Sequence, residues 1–108
     1  MKRGDLVSVA PQGAFGKPRP ALVIQSDYFD THPSVTVLPL SSKMQGAPLC
    51  RVLVQPSRRN GLSTLSEVMI DKAVTFPRAK VGEPFGHLES ASLLEVERCL
   101  AVFLGIAE

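Results

Sequence analysis

Arg19 stands between Pro18 and Pro20, immediately before the apolar run Ala21-Leu22-Val23-Ile24. Pro20 restricts the residue before it to extended geometry, so the guanidinium is carried on a stiff backbone. A permanently charged, forked donor held this way suits a phosphate group. Its alternative use is an ion pair with a carboxylate such as Asp71. Ser41 and Ser42 follow the run Val37-Leu38-Pro39-Leu40, with Lys43 next to them. Hydroxyls at a strand end either donate to a phosphate or close a local turn on the backbone. Asp71 and Lys72 interrupt a second apolar stretch, Val68-Met69-Ile70 before them and Ala73-Val74 after. A charged pair there needs a partner, a cleft or an interface, because unpaired burial is costly. His32 and His87 are the only side chains that ordinarily titrate near neutral pH, and both lie in irregular segments. Lys2-Arg3, Arg58-Arg59 and the Arg78 to Lys80 segment are further candidates for a rim that binds a polyanion. Two cysteines, Cys50 and Cys99, and two histidines at unrelated spacings make no metal site. The cysteines read as small apolar fillers.

The elements that position these residues are short. Residues 5–10 alternate as a strand does. Residues 11–20, PQGAFGKPRP, form a loop, and 21–25 a buried central strand. Residues 26–33 are rich in turn formers, with room for one helical turn. Strands follow over 34–40 and 49–55, and Pro39 points to an edge or a strand end. Asn60-Gly61 is the strongest turn signal in the chain. Residues 65–76 make the longest strand candidate, bent along its length. Residues 77–80 suit one helical turn, and 81–88 are irregular or a short strand. The one clear helix spans 90–104, with Ser90 at its N-cap and Gly105 in the left-handed position that ends it. Leu93, Val96, Leu100, Phe103 and Leu104 fall on one arc and should face the core. Five or so strands closed by one helix predict a small antiparallel barrel of SH3 type.

With 108 residues, 44% of them hydrophobic, and a mean hydropathy of +0.14, the chain is expected to form one folded domain rather than a disordered segment. It is too short for a dinucleotide-binding domain joined to a substrate domain. No apolar run approaches the ~18 residues of a membrane span. No apolar stretch follows Met1 to Asp5 as a secretory signal requires, so the expected location is the cytoplasm. Charge is unevenly placed. Residues 1–80 carry eleven Lys or Arg against five Asp or Glu, a charge of +6, whereas residues 81–108 carry one Arg against five Glu, −4. A basic body of this kind can bind a polyanion on one face.

Arg3-Gly4-Asp5-Leu6-Val7, followed by Gly16-Lys17-Pro18-Arg19-Pro20-Ala21, resembles the opening of MazF/PemK-type toxins. Val37 to Ser42 resembles the strand that ends in P-L-T-S in that family. Val68 to Thr75 resembles its later strand, and residues 90–104 its C-terminal helix. The resemblance spans nearly the whole chain. It implies a metal-free, cofactor-free endoribonuclease that cuts single-stranded RNA and works as a homodimer. It also implies inhibition by an antitoxin whose acidic, flexible segment occupies the RNA groove, and an SH3-like barrel shared with CcdB toxins. On this resemblance Arg19 meets the scissile phosphate, and Ser41 stands in the place usually held by Thr. Lys17, Ser42, Lys43, Asp71 and Lys72 are the residues expected to contact RNA. The chain departs from the family pattern at Lys72, where Gln is common, and at Val74, where many members carry Arg. The general acid and base stay unassigned.

Two other readings compete. Gln25-Ser26-Asp27, Asp30-Thr31 and Leu38-Pro39-Leu40 also resemble CcdB-like gyrase poisons. Those toxins end in Trp-Gly-Ile, however, and this chain has Leu104-Gly105-Ile106. Ser41, Lys72 and Val74 also leave room for a catalytically weak relative that only binds RNA and antitoxin.

Overall fold

Apolar runs such as Ala21-Leu22-Val23 have no polar side because both faces of their strands are buried. The computed structural model describes residues 1–10, 17–46 and 50–108. Of the loop expected over 11–20, residues 11–16 lie outside the described residues, as does the strand start at Leu49; the loop's last two residues, Arg19 and Pro20, are already in strand. Seven strands form one antiparallel sheet among the described residues: β1 (Asp5–Val9), β2 (Arg19–Val23), β3 (Ser34–Ser41), β4 (Arg51–Val54), β5 (Ser66–Met69), β6 (Val74–Pro77) and β7 (Gly86–His87). Their order is β4-β5-β3-β2-β1-β7, and β6 pairs with β3. One helix, α1 (Ser90–Phe103), follows. This is the small, mainly β, antiparallel barrel with a C-terminal helix that the sequence predicts. No helix among the described residues is long and apolar enough to cross a membrane.

One sheet face carries Leu6, Leu22, Leu38, Leu40, Val52, Val54 and Val68, packed with Leu88 and with Val96, Leu93, Cys99 and Leu100 of α1. The opposite face carries Val7, Val9, Ala21, Val23, Val35 and Val37, packed with Met1, Phe76 and Val81. Alternate residues of β1, β2 and β3 supply the two layers, as the period of two requires. The Cys99 thiol packs against the first layer, where burial, then the nearby Glu95 and Cys50, pushes its pKa up.

The strand expected over 65–76 is broken. β5 pairs with β3 through Leu40↔Val68, and β6 through Val37↔Val74. The β5–β6 side therefore has three more residues between these pairs than β3 does. They form the 3₁₀ turn Ile70–Lys72, which drives Ile70 into the core and swings Asp71 and Lys72 out of the ladder. Pro39 supplies the reason. The Ile24 N–H donates to Thr36 O, and strand alternation from that bond turns the Pro39 nitrogen away from β2, toward β5 and β6. Pro has no N–H to give, so the neighbouring strand has no donor to pair with at that point. Pro39 thus lies in the middle of a sheet, not on the edge that its type suggests.

The helix departs from expectation at both ends. Glu89, not Ser90, occupies the N-cap, and its side chain makes no capping bond. Its carboxylate instead accepts from Ser57 Oγ and from Asn60 Nδ2, the latter at 3.0 Å. At the other end, Ile106 N–H donates to Ala101 O and Gly105 N–H to Val102 O, with Gly105 at φ +75°. This is the expected left-handed closure in its Schellman form. Phe103 and Leu104, assigned to the core by their arc, are 49% and 57% exposed. The α1 residues that join the core are Leu93, Val96, Cys99 and Leu100, and the last turn lies outside that cluster.

Asn60, read from sequence as a turn former, is completely buried. Its Oδ1 accepts from the N–H groups of Ser57 and Leu62, and its Nδ2 donates to Gln55 O and to Glu89. All four of its side-chain bonding positions are filled. The Ser57 hydrogen bond holds the Glu89 carboxyl below its ordinary 4.5; desolvation opposes the shift, and Asn60 assists it. A lowered folded value means that the stabilisation is fully present above the unfolded value and is lost as pH falls through the folded one. Glu89→Gln is expected to cost about 1 kcal/mol at pH 7 and to have no such loss on acidification. Urea unfolding at pH 7 and pH 3 checks this; equal acid slopes for the two proteins would contradict it.

Candidate active site

Arg19 opens β2 and is exposed. Its partner across β1 is Val9, and its side chain borders a shallow cleft of about 170 Å³ beside Ser8, Ser63 and Phe85. Among the described residues no ion pair engages it. The alternative pairing with Asp71 does not occur, because Asp71 is taken by Arg51.

Ser41 ends β3. The β2–β3 register runs Val23↔Val37, Leu22↔Leu38, Ala21↔Pro39. The pairing ends there; continued by two residues, the same alternation would set Arg19 across from Ser41, at the same sheet end. Ser41 Oγ accepts from Lys43 N–H at 3.0 Å. The local turn is therefore made, and it uses only an oxygen lone pair, so the hydroxyl proton stays available to donate. Ser42 and Lys43 are exposed on the loop that follows, and Lys17 is exposed two residues before β2.

Asp71 and Lys72 lie on the 3₁₀ turn at the other edge of β3, alongside Leu38 and Pro39 rather than Ser41. They stand two strand spacings, about 4.8 Å each, from the line of β2. Desolvation pushes the Asp71 carboxyl up. The hydrogen bond from Arg51, a bond from its own backbone and the charges of Arg51 and Lys72 outweigh this and hold it below the ordinary 3.8.

The other candidates are elsewhere or otherwise engaged. His87 pairs with Asp5 on β1 at 2.9 Å. His32 precedes β3, at the end of that strand away from Ser41, and its ring meets that of Phe29. Arg3 pairs with Glu97 and donates to Ile24 O, and Arg78 donates to His32 O. Both are structural cations rather than part of a free rim. Lys2, Arg58, Arg59 and Lys80 are exposed. Among the described residues no group of three or more His, Cys, Asp or Glu is gathered as a metal requires.

Sequence reasoning missed two charged residues beside the site. Glu67, opposite Ser41 in the ladder, is buried, and Arg51 reaches between it and Asp71. The available signal was one acid beside Val68 in the apolar stretch of β5, which pairs with β4, the strand that carries a lone Arg.

Residues 2–104 match the family model of PemK-like, MazF-like toxins of type II toxin–antitoxin systems. The chain belongs to this family. A relative from Mycolicibacterium smegmatis, a probable endoribonuclease MazF, is 46% identical over 108 residues, 99% of both chains. Among solved structures, a mycobacterial endoribonuclease in complex with its cognate antitoxin aligns with a TM-score of 0.84. The alignment covers 100% of this chain and 98% of that one at 20% identity, a likeness of fold. A MazE–MazF complex from Deinococcus radiodurans aligns with a TM-score of 0.78 at 27% identity, covering 99% of this chain and 98% of its match. The MazF-like resemblance carried by the Arg3 to Val7, Lys17 to Ala21 and Val37 to Ser42 segments is thus borne out.

Proposed function

We propose that this MazF-like chain is the toxin of a type II toxin–antitoxin pair, acting as one domain over residues 1–108 that cleaves single-stranded RNA without a metal. The observation that supports the reading is the β2–β3 register, which ends at Ala21↔Pro39 and, continued along both strands, would bring Arg19 and Ser41 to the same sheet end. RNA brings its own nucleophile. The 2′-oxygen attacks the adjacent phosphorus, a new O2′–P bond forms, and the P–O5′ bond breaks. The 2′-hydroxyl proton leaves to a base and the departing 5′-oxygen gains a proton, giving a 2′,3′-cyclic phosphate and a 5′-hydroxyl. Charge builds on the non-bridging oxygens as attack proceeds. Arg19 meets that charge with a forked cation, and Ser41 donates its free hydroxyl proton. Lys17, Ser42, Lys43 and Lys72 supply cations and donors along the strand, and Asp71 an acceptor.

The relatives' antitoxin complexes and the basic charge of residues 1–80 support an acidic, flexible antitoxin segment as the partner that competes with RNA. The exposed Val102, Phe103, Leu104 and Ile106 at the end of α1 support a homodimer that covers them.

The test is direct. The purified, folded chain in EDTA should cut single-stranded RNA and leave cyclic phosphate ends. Intact RNA across varied sequences would overturn the reading, and trapped DNA breaks in a gyrase assay would favour a gyrase poison instead.

A further inference from the structure

Two charged side chains, Glu67 and Arg51, lie behind the Ser41 loop and lead to Asp71, and the cleavage as written uses neither of them. Glu67 is 2% exposed. A carboxylate buried this deeply is costly unless its oxygens are bonded and its charge is matched. On one side Glu67 accepts from backbone: Gln45 N–H donates to Oε1 at 2.7 Å, and Gly46 N–H to Oε2 at 3.4 Å. On the other side, Arg51 Nε lies 3.9 Å from Oε1, on a side chain that is only 9% exposed. The same guanidinium donates through Nη1 to Asp71 and to Cys50 O.

Stability alone does not explain this arrangement. Buried ion pairs are often no more stable than apolar residues of similar size, and the next residue on the same strand is the apolar Val68. What the charges do achieve is geometric. Glu67 sits directly across the ladder from Ser41 and holds the backbone four and five residues further on. The strand end and the loop that carries Ser42 and Lys43 are thereby tied to one carboxylate. The Arg51 charge faces that carboxylate at ion-pair distance, its Nε making no hydrogen bond among the described residues, while its Nη1 is bonded to Asp71 on the 3₁₀ turn that also bears Lys72. Both groups of site residues, on separate elements, are referred to one buried guanidinium.

We propose that Glu67 and Arg51 are positioning residues for RNA cleavage: Glu67 sets the 41–46 loop so that the Ser41 hydroxyl meets the scissile phosphate, and Arg51 fixes Glu67 against the turn at 70–72. The proposal rests on the nuclease reading. It differs from a general packing role in one measurable respect, because it acts through Ser41.

The experiment compares Glu67→Gln on the native background and on Ser41→Ala, by single-turnover cleavage of a short single-stranded RNA. On the native background the rate constant should fall about 10-fold with KM changed less than about 3-fold. On the Ser41→Ala background the same change should cost less than about 2-fold, since the group it positions is gone. Amide hydrogen exchange at Gln45 and Gly46 should quicken about 10-fold or more in Glu67→Gln. Arg51→Lys keeps the charge and loses the fork, and it should show the same dependence on Ser41 even where Glu67→Gln folds poorly. An unchanged rate in a folded variant, or equal losses on both backgrounds, overturns the proposal while the nuclease reading stands. A native chain that leaves RNA intact overturns both.

Discussion

Arg19→Ala is expected to lower the rate of RNA cleavage at least about 100-fold, roughly 2.7 kcal/mol of transition-state stabilisation, with folding stability nearly unchanged. The stability half follows from placement. Arg19 is exposed at the first position of β2, and among the described residues it makes no ion pair. Surface substitutions of this kind usually stay within about 0.5 kcal/mol. The catalytic half follows from the chemistry. A phosphate already carries charge in the ground state, and attack by the 2′-oxygen adds more on the non-bridging oxygens. A fixed fork of donors gains strength over that change, so the loss should appear chiefly in kcat. Arg19→Lys separates charge from geometry. It retains a cation but not the bidentate fork, and should recover only part of the rate. Single-turnover cleavage with the three proteins, beside their urea unfolding curves, provides the check. Undiminished cleavage by a folded Arg19→Ala protein would remove Arg19 from the mechanism.

The two ends of this site differed in how plainly the sequence announced them. Arg19 between its prolines and Ser41 after Leu40 are marked by local chemistry. The two adjacent apolar runs that carry them pair through Ala21↔Pro39, two residues short of both. Asp71 and Lys72 were legible as residues but not in their setting. Ile70 continues the apolar pattern of β5, so nothing local shows that the strand breaks there. The break is set by the missing N–H of Pro39, on a strand some thirty residues earlier. Glu67 and Asn60 were illegible for a related reason. A buried polar residue takes its meaning from its partners, and Asn60 finds Glu89 at 29 residues' separation, Glu67 the Gln45 amide at 22. The helix arc identified Leu93, Val96 and Leu100 as inward-facing. Periodicity reports which way a side chain points but not where the core beneath it ends, so Phe103 and Leu104 were assigned to a core that does not reach them.

Gly86→Ala is expected to destabilise the fold by about 3 kcal/mol or more, lowering the melting midpoint by roughly 12 °C or more. β7 is squeezed between two backbones. Gly86 pairs with Leu6 of β1, while the adjacent His87 N–H donates to Arg59 O at 2.8 Å. A Cβ on Gly86 would stand 2.0 Å from the Asn60 carbonyl oxygen and 2.3 Å from its carbon. Backbone cannot rotate aside as a flexible side chain does, so the turn or β7 must move. Either movement strains Asn60, whose four side-chain bonds tie Gln55, Ser57, Leu62 and the Glu89 N-cap together. Truncating Asn60 to Ala gives no relief, because the clash is with its main chain and the truncation strips those bonds as well. Gly46→Ala is the informative contrast. Its Cβ would meet nothing within 4 Å, and only the backbone at φ +67° objects, a cost of roughly 1–2 kcal/mol. Urea unfolding of the two variants beside the native chain tests the ranking. If Gly86→Ala were the milder of the two, the 57–61 turn would have to yield freely, and the rigid coupling of β7, Asn60 and the start of α1 would be wrong.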